Sequence, residues 1–241
     1  MSRVLGDPDA GYAILAEGNT SARTGDDTFL LKASGFRLAE ATPESFVEMG
    51  LSTVLGLLDA NPRGDEELAR ALSACRLGDG HRPSVEAALH AVGLALGAAR
   101  VVGHTHPTAI NAILCSQRPE LIVTEPLFPD QIVVCGRTAL LVPYFDPGIP
   151  LALEVRARLR DHIDQHGVPP KTIYLQNHGL IALGQSAAEV LQITQMAVKA
   201  ARILLGSLAC GGPRPFTPEA AARIESRPDE HARQAMLRQT A

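Results

Sequence analysis

The stretch Val101-Val102-Gly103-His104-Thr105-His106 carries the sharpest local signal in this 241-residue chain. Its β-branched residues favour a strand, because such side chains pack well on a pleated surface. Side chains two residues apart on a strand point to the same face, so His104 and His106 are expected side by side. Two adjacent imidazoles are positioned to share one metal ion.

The segments around this strand predict an α/β fold with a mixed sheet. Residues Asn19 to Arg23 and Phe29 to Ala33 flank a Thr-Gly-Asp-Asp turn and are expected to form a hairpin. Further β-branched runs predict strands at residues 131–135, 139–142 and 172–175, and helical patterns cover residues 84–99, 149–165 and 187–205. Ser84 is the expected cap of the first helix. These strands outnumber those of a purely alternating chain, so a mixed sheet with flanking helices is favoured over a doubly wound parallel one.

Length and composition are those of a globular chain with its own core. The sequence is 46% hydrophobic and 20% charged, and it has 22 Lys+Arg against 26 Asp+Glu, a net charge of −4. One large α/β domain or two small ones would fit this length. The Gly/Pro-rich residues 211–215 separate a body of residues 1–210 from a C-terminal tail of residues 211–241.

Charge and hydropathy argue against several classes of partner. A near-neutral balance without a Lys/Arg run disfavours nucleic acid and a polybasic membrane patch. The most apolar stretch, residues 87–103, is interrupted by His90 and Arg100 and does not resemble a membrane span. The N-terminus lacks the apolar region of a signal peptide, and four widely spaced cysteines favour a reducing compartment. The cytoplasm is therefore the expected location.

A third histidine extends the pair on the predicted strand. His178, in Gln176-Asn177-His178-Gly179, follows the predicted strand at residues 172–175, so a loop could deliver its ring to the same place. Three neutral imidazoles with an open position are typical of a catalytic zinc site, although cobalt, nickel or iron also accept imidazole. On spacing alone, histidines that merely fill hydrogen-bonding niches remain the alternative.

Glu86 lies at the start of an otherwise apolar helical pattern. A carboxylate in a first helical turn can simply complement the helix dipole. Alternatively, its apolar neighbours raise its pKa and prepare it for proton transfer beside a metal. His90, one turn later, is expected in the core or behind a ligand rather than as a fourth ligand.

Two turns carry small polar residues that could offer amides and hydroxyls to an anion such as phosphate. They are Gly18-Asn19-Thr20-Ser21 and Lys32-Ala33-Ser34-Gly35. Ordinary turns are the alternative for both. The sequence contains no G-x-G-x-x-G or Walker loop, so nucleotide binding is not expected.

Taken in chain order, five blocks of the sequence resemble the class II aldolase/adducin family, whose best-known enzymes cleave fuculose 1-phosphate or rhamnulose 1-phosphate. The blocks are Gly18 to Arg23, Lys32 to Gly35, Arg82 to Glu86, His104 to Pro107 and Asn177 to Gly179, within about residues 11–206. The resemblance implies a single-domain, three-layer αβα fold with a mixed, largely antiparallel central sheet. Within the family, the sequence most resembles the aldolase domain of fused aldolase–dehydrogenases.

The resemblance also implies site roles. His104, His106 and His178 match the three metal-binding histidines, with Zn²⁺ as the first expectation and Co²⁺, Mn²⁺ or Fe²⁺ as alternatives. Glu86 matches the acid/base carboxylate, and Tyr144 matches a tyrosine that reaches a neighbouring subunit's site and protonates the aldehyde oxygen. Family members are usually homotetramers with sites between subunits. The positions that match the phosphate pocket are Asn19, Ser34, Gly35 and Ser84.

The implied reaction is the cleavage of a ketose or ketose phosphate through a metal-stabilised enediolate. An epimerase, dehydratase or decarboxylase using the same site, on a sugar phosphate, sugar acid or hydroxy aromatic carboxylate, is the alternative. A non-catalytic module like the adducin head domain is a more remote one. Val85 stands where the family commonly has a second serine, so the anion pocket has one hydroxyl donor fewer.

Overall fold

The computed structural model of the protein describes residues 1–230 and is built on one seven-stranded sheet. The strands are β1 (Asn19–Arg23), β2 (Thr28–Lys32), β3 (Phe46–Gly50), β4 (Val101–Thr105), β5 (Leu140–Val142), β6 (Thr172–Leu175) and β7 (Gly179–Gly184). Their order is β3-β2-β1-β4-β7-β6-β5, and all neighbours are antiparallel except β5 and β6. The predicted mixed, largely antiparallel sheet is confirmed.

Helices cover both faces of the sheet. They are α1 (Ser2–Leu5), α2 (Leu51–Ala60), α3 (Gly64–Ala74), α4 (Ala87–Ala95), α5 (Thr108–Leu114), α6 (Pro129–Cys135), α7 (Ile149–His166), α8 (Ala187–Leu208) and α9 (Pro218–Glu225). One face packs against α2, α4 and α7, where Val92 and Val155 are buried, and the other packs against α5, α6 and α8, where Ile110 and Ile193 are buried. The result is the expected three-layer αβα arrangement.

Strong periodicity and tight turns predicted several elements well. The hairpin forms with Ser21 opposite Leu31, the strand predicted at residues 172–175 is β6, and the helices predicted at 149–165 and 187–205 are α7 and α8. These segments have long amphipathic patterns or clear turn residues at their ends, so local sequence and tertiary packing agree.

The strand predicted at residues 131–135 is wrong, because these residues belong to helix α6. Pro129 occupies the first turn of this helix, a position that suits its fixed φ and its missing N–H. Ile132, Val133 and Cys135 are buried, and α6 packs against α8 and α9. A five-residue apolar run does not distinguish a strand from one side of a short buried helix.

The helix predicted at residues 84–99 is shorter, running from Ala87 to Ala95. Ser84 is not its cap, because Glu86 occupies the N-cap position. The Ser84 hydroxyl instead accepts the backbone N–H of Glu86 at 3.2 Å. The irregular segment before α4 therefore presents Glu86 at the helix start, where its side chain is buried.

The described part of the predicted tail packs on the body. Ala221 and Ile224 of α9 bury their side chains against Ile132 of α6, and the Phe216 N–H donates to the Pro126 carbonyl at 2.9 Å. The division between residues 1–210 and 211–241 stays a prediction, and residues 231–241 lie outside the described part. Among the described residues, no helix has the length and apolar character needed to cross a bilayer.

Three segments meet at one edge of the sheet and create the site. β4 lies between β1 and β7 and is antiparallel to both, with His104 opposite Asn19 and Ile181. The end of β4 therefore adjoins the start of β1 and the turn that precedes β7. The first residues of α4 complete this edge.

Candidate metal centre

Three histidine rings converge at this edge of the sheet. The Nε2 atom of His104 lies 3.1 Å from Nε2 of His106 and 3.2 Å from Nε2 of His178. The ring planes are inclined by 64–89° to one another. Nitrogens on steeply inclined rings thus point toward a common centre, as a shared ion requires.

Each histidine is held by a different part of the fold. His104 is fully buried on β4, and its Nδ1 donates to the Leu180 carbonyl at 3.0 Å, which leaves a lone pair on Nε2. His106 follows β4, its backbone N–H donates to the Tyr12 carbonyl at 2.8 Å, and its Nδ1 lies 3.9 Å from Glu17 Oε2. The His104 ring is therefore fixed in its tautomer by the sheet itself.

His178 is delivered by the tight turn between β6 and β7. Asn177 adopts a left-handed φ of 55°, which asparagine tolerates better than most residues. A Cβ at Gly179 would lie 2.4 Å from the Thr105 carbonyl oxygen and 2.7 Å from Cδ2 of His106. Only glycine permits this approach, so Gly179 allows the turn to bring His178 against the end of β4.

Glu86 faces the histidine cluster from the start of α4. Its Oε1 lies 3.3 Å from Nε2 of both His104 and His178, and the residue is only 7% exposed. Oε2 accepts a hydrogen bond from Asn19 Nδ2 at 2.8 Å. Within residues 1–230, Oε1 has no well-formed hydrogen bond, although it is buried. A buried carboxylate oxygen without a partner is suited to a cation or a transferred proton.

Charge coupling within the cluster is strong. Burial alone would raise the pKa of Glu86, but His104 and His178 outweigh it and lower that pKa well below its usual value. Burial alone would lower the pKa of His104, but the Glu86 carboxylate raises it. Burial, together with His104 and His178, lowers the pKa of His106 to about 3. The carboxylate is ionised and attracts positive charge to the centre of the cluster.

The donor set fits a divalent metal ion. His104, His106 and His178 form a group whose ligand atoms all lie within 4.8 Å of one another. Nitrogens bound tetrahedrally to zinc at about 2.0–2.1 Å are roughly 3.3–3.4 Å apart, close to the separations of 3.1 and 3.2 Å here. Bare nitrogen lone pairs at this separation repel each other unless a cation or proton lies between them. The unpartnered Glu86 Oε1 adds a negative charge beside the same point.

The four positions matched to a phosphate pocket fall into two groups. Asn19 and Ser84 are buried and bonded to each other, with Nδ2 of Asn19 donating to Ser84 Oγ at 3.2 Å. Ser34 and Gly35 are exposed, and the Ser34 N–H donates to the Arg82 carbonyl at 2.9 Å. The first pair thus contacts Glu86, whereas the second lies beside residues 82–86 through its backbone. Their role toward an anion stays a prediction.

Tyr144 lies on the surface, outside the histidine cluster. It is 53% exposed, and its hydroxyl donates to Asp146 Oδ1 at 3.0 Å. That hydrogen bond and the Asp146 charge raise the pKa of Tyr144. An exposed tyrosine is accessible to another subunit, and its predicted role there is untested.

The structure gives three residues near the site contacts that the sequence did not specify. Ser21 and His90 form part of a buried network with Asn19, and the spacing that brings them together is readable: Asn19 and Ser21 are two apart on β1, and Glu86 and His90 are four apart at the start of α4. Lys32 is buried at 2% exposure, and its Nζ donates to the Phe36 carbonyl at 2.6 Å. Burial lowers the pKa of Lys32, and the Glu86 charge opposes this. The sequence marked Lys32 only as part of the Lys32–Gly35 turn, not as a buried side chain.

The fold and the histidine cluster together define an α/β protein with a potential three-histidine metal site. Residues 3–205 match the family model described as the Class II Aldolase and Adducin N-terminal domain. The chain therefore belongs to the class II aldolase and adducin family. A search of curated proteins found no significant match.

Solved structures share this fold over most of their length. The N-terminal class II aldolase domain of a protein from Thermoplasma acidophilum is 26% identical, with a TM-score of 0.66 over 85% of this chain and 90% of that one. YgbL from Escherichia coli, named a candidate aldolase/epimerase/decarboxylase, is 21% identical, with a TM-score of 0.69 over 94% and 96%. The L-fuculose-1-phosphate aldolase from Thermus thermophilus is 23% identical, with a TM-score of 0.61 over 90% and 94%.

Proposed function

We propose that this protein is a metal-dependent carbon–carbon lyase that cleaves a ketose or ketose phosphate into an aldehyde and a three-carbon ketone. The observation that carries the proposal is the convergence of three Nε2 atoms with Glu86 Oε1, which lies 3.3 Å from two of them. A purely structural cluster does not require an unpartnered buried carboxylate oxygen beside bare imidazole nitrogens. Membership of the aldolase and adducin family supports the same reading.

The histidines and Glu86 divide the chemistry. His104, His106 and His178 would hold a divalent ion, with zinc the first candidate and Co²⁺, Mn²⁺ or Fe²⁺ as alternatives. Such an ion supplies Lewis-acid chemistry, polarising a carbonyl and stabilising the charge that develops when the adjacent C–C bond breaks. Glu86 Oε1 takes or returns the proton at the carbon that bears this charge, while Asn19 holds Oε2.

Substrate recognition is assigned to the loops beside Glu86. The exposed Ser34 hydroxyl, the Gly35 N–H and the Ser84 hydroxyl offer hydrogen-bond donors to an oxygen-rich group, such as a phosphate or a sugar hydroxyl. Three neighbours in the fold comparison are named as fuculose 1-phosphate aldolases, which supports a sugar phosphate as the first substrate class to test. The predicted place of the protein is carbohydrate metabolism in the cytoplasm.

Tyr144 is proposed to act in a neighbouring subunit's site. Its side chain is exposed, and its hydroxyl bonds to Asp146 on the surface. Both features suit a contact made when subunits assemble. In a homotetramer with sites between subunits, its hydroxyl would protonate the aldehyde oxygen. A tyrosine hydroxyl is protonated at neutral pH, and the contact with Asp146, which raises the pKa of Tyr144, does not change this.

A second class of reaction uses the same residues. Epimerases, dehydratases and decarboxylases also need a carbanion next to a carbonyl or carboxylate, and the name of YgbL joins the three activities of aldolase, epimerase and decarboxylase. Val85 stands where a serine would supply one more hydrogen-bond donor to an anion. Its presence therefore favours this alternative, with a substrate that carries no phosphate. A non-catalytic adducin-like module is disfavoured by the complete histidine cluster.

Purified protein, stripped of metal and reloaded separately with Zn²⁺, Co²⁺, Mn²⁺ or Fe²⁺, tests the proposal. It would be incubated with ketose 1-phosphates, free ketoses, sugar acids and hydroxy aromatic carboxylates. We expect metal-dependent release of an aldehyde from at least one ketose. Carbon dioxide without aldehyde would identify a decarboxylase, and an epimer without cleavage would identify an epimerase. Failure to bind any of these ions would overturn the enzymatic assignment and favour the non-catalytic module.

A further inference from the structure

We propose that His90 and Ser21 are positioning residues that orient the amide of Asn19, so that Asn19 holds one oxygen of Glu86 and leaves the other facing the histidine cluster. The inference rests on the proposed function for its catalytic consequence, but the hydrogen-bond network that carries it does not.

A buried hydrogen-bond network joins strand β1 to helix α4. Asn19 and Ser21 project from the same face of β1 toward α4, and His90 lies one turn after Glu86. Ser21 Oγ lies 2.7 Å from His90 Nδ1, His90 Nε2 contacts Asn19 Oδ1, and Asn19 Nδ2 lies 2.8 Å from Glu86 Oε2. The four residues are all buried, so competing water is excluded from these bonds.

Hydrogen-bond polarity then follows step by step from Glu86. An ionised carboxylate only accepts, so the Asn19 atom beside Oε2 is the NH₂ group and the atom beside His90 is the carbonyl oxygen. His90 Nε2 must therefore carry a hydrogen. In a neutral imidazole Nδ1 is then an acceptor, and the Ser21 hydroxyl donates to it. Each hydrogen bond from Ser21 to Glu86 therefore has a defined donor and acceptor, and the Asn19 amide has one allowed orientation.

Both amide hydrogens of Asn19 are already used within the protein. Nδ2 donates to Glu86 Oε2 at 2.8 Å and to Ser84 Oγ at 3.2 Å. The Ser84 hydroxyl hydrogen remains available to a substrate oxygen, because Oγ accepts from both Asn19 and the Glu86 N–H. Oε2 of Glu86 is thereby held, and Oε1 is the oxygen left to face the histidines.

Two substitutions at His90 separate positioning from simple packing. In His90→Gln, the side-chain amide nitrogen takes the place of Nε2 and can still donate to Asn19. In His90→Asn, the amide reaches only the position of Nδ1, so the contact with Asn19 is lost. Both replacements are polar and smaller than histidine, and thermal unfolding would be measured for both variants to compare their stability.

The readouts are Co²⁺ affinity, from competition with a chelator, and deuterium incorporation from D₂O into dihydroxyacetone phosphate. We expect His90→Asn to lose about 10- to 100-fold in Co²⁺ affinity and in the maximal exchange rate, the usual cost of removing a partner behind a site residue. His90→Gln should stay within a few-fold of wild type, and KM should change little in either. Equal losses in both variants, or a rise in KM alone, would overturn the inference.

The exchange rate and the Co²⁺ affinity report separately on the lyase activity and on the positioning role of His90. If wild-type protein exchanges deuterium into neither dihydroxyacetone phosphate nor dihydroxyacetone with any ion, the lyase proposal fails, while the Co²⁺ affinities of the two variants still test the positioning role. If wild type exchanges deuterium and the two variants behave alike, the lyase proposal stands and the positioning role is refuted.

Discussion

The histidine cluster and the Ser34–Gly35 loop are neighbouring parts of one candidate site, but they are built in opposite ways. His104 is fully buried, and its ring is hydrogen-bonded to a backbone carbonyl of the adjacent strand. Ser34 and Gly35 are exposed and are held through a backbone bond to Arg82. Residues held in the core have one conformation, so they suit the chemical step, whereas exposed loops tolerate change and suit substrate selection.

The largest effect is expected from Glu86→Gln, which keeps the size of the side chain and removes its base. General acid–base groups contribute about 10²–10⁴-fold, so kcat should fall by that amount when it is measured at saturating metal. Steady-state kinetics on the substrate found in the screen would measure it. Glu120→Gln, at an exposed ion pair with Arg118, is the matched control and should be unaffected. A Glu86 variant with near-normal kcat would remove this residue from the mechanism.

His178→Ala should weaken metal binding more than any change in the loop. Loss of a direct ligand is expected to cost more than about 100-fold in affinity, the upper end of what loss of an outer partner costs. Chelator competition followed by metal analysis gives the value. His166→Ala, at the exposed end of α7, supplies the control. Unchanged affinity in the His178 variant would show that the ion binds elsewhere.

Gly179→Ala tests whether the turn that carries His178 needs a close backbone approach. The added Cβ would lie 2.4 Å from the Thr105 carbonyl, so the turn must move, at a cost of about 1–3 kcal/mol. The melting temperature should fall by about 2–4 °C for each kcal/mol, and metal affinity should fall with it. Gly206→Ala, in α8, has open space around its Cβ and should instead stabilise the protein by about 0.5–1 kcal/mol. Equal melting temperatures for the two variants would contradict the argument.

The smallest effect is expected in the exposed loop. Ser34→Ala removes one hydroxyl that is open to solvent. A hydrogen bond to a charged group is worth about 1.5–3 kcal/mol, and exposure to water places this one at the lower end. KM for a phosphorylated substrate should therefore rise by about 10-fold, with kcat and Co²⁺ affinity unchanged. A fall in kcat as large as that of Glu86→Gln would erase the proposed difference between core and loop.

Much of the histidine cluster could be predicted because its signals are local. His104 and His106 share a face of one strand by simple alternation, and His178 follows a strand that local pattern also marked. The prediction of a strand at residues 131–135 was wrong, because a short apolar run fits either a buried strand or a buried helix. Packing against α8 and α9 selects the helix. The predicted start of α4 at Ser84 was wrong, because the Ser84 hydroxyl accepts the Glu86 N–H before the helix begins.

The sequence by itself determined which residue types are present for the chemistry, the alternation that pairs two histidines, and the family to which the blocks belong. Tertiary structure alone decided that Glu86 turns inward, that its Oε1 stays unpartnered, and that Asn19 is held by His90 across the layer between β1 and α4. The physical reason is that strand alternation is set by bonds between chain neighbours. Burial and hydrogen-bond direction, in contrast, depend on groups from distant segments that meet only when the sheet and helices pack.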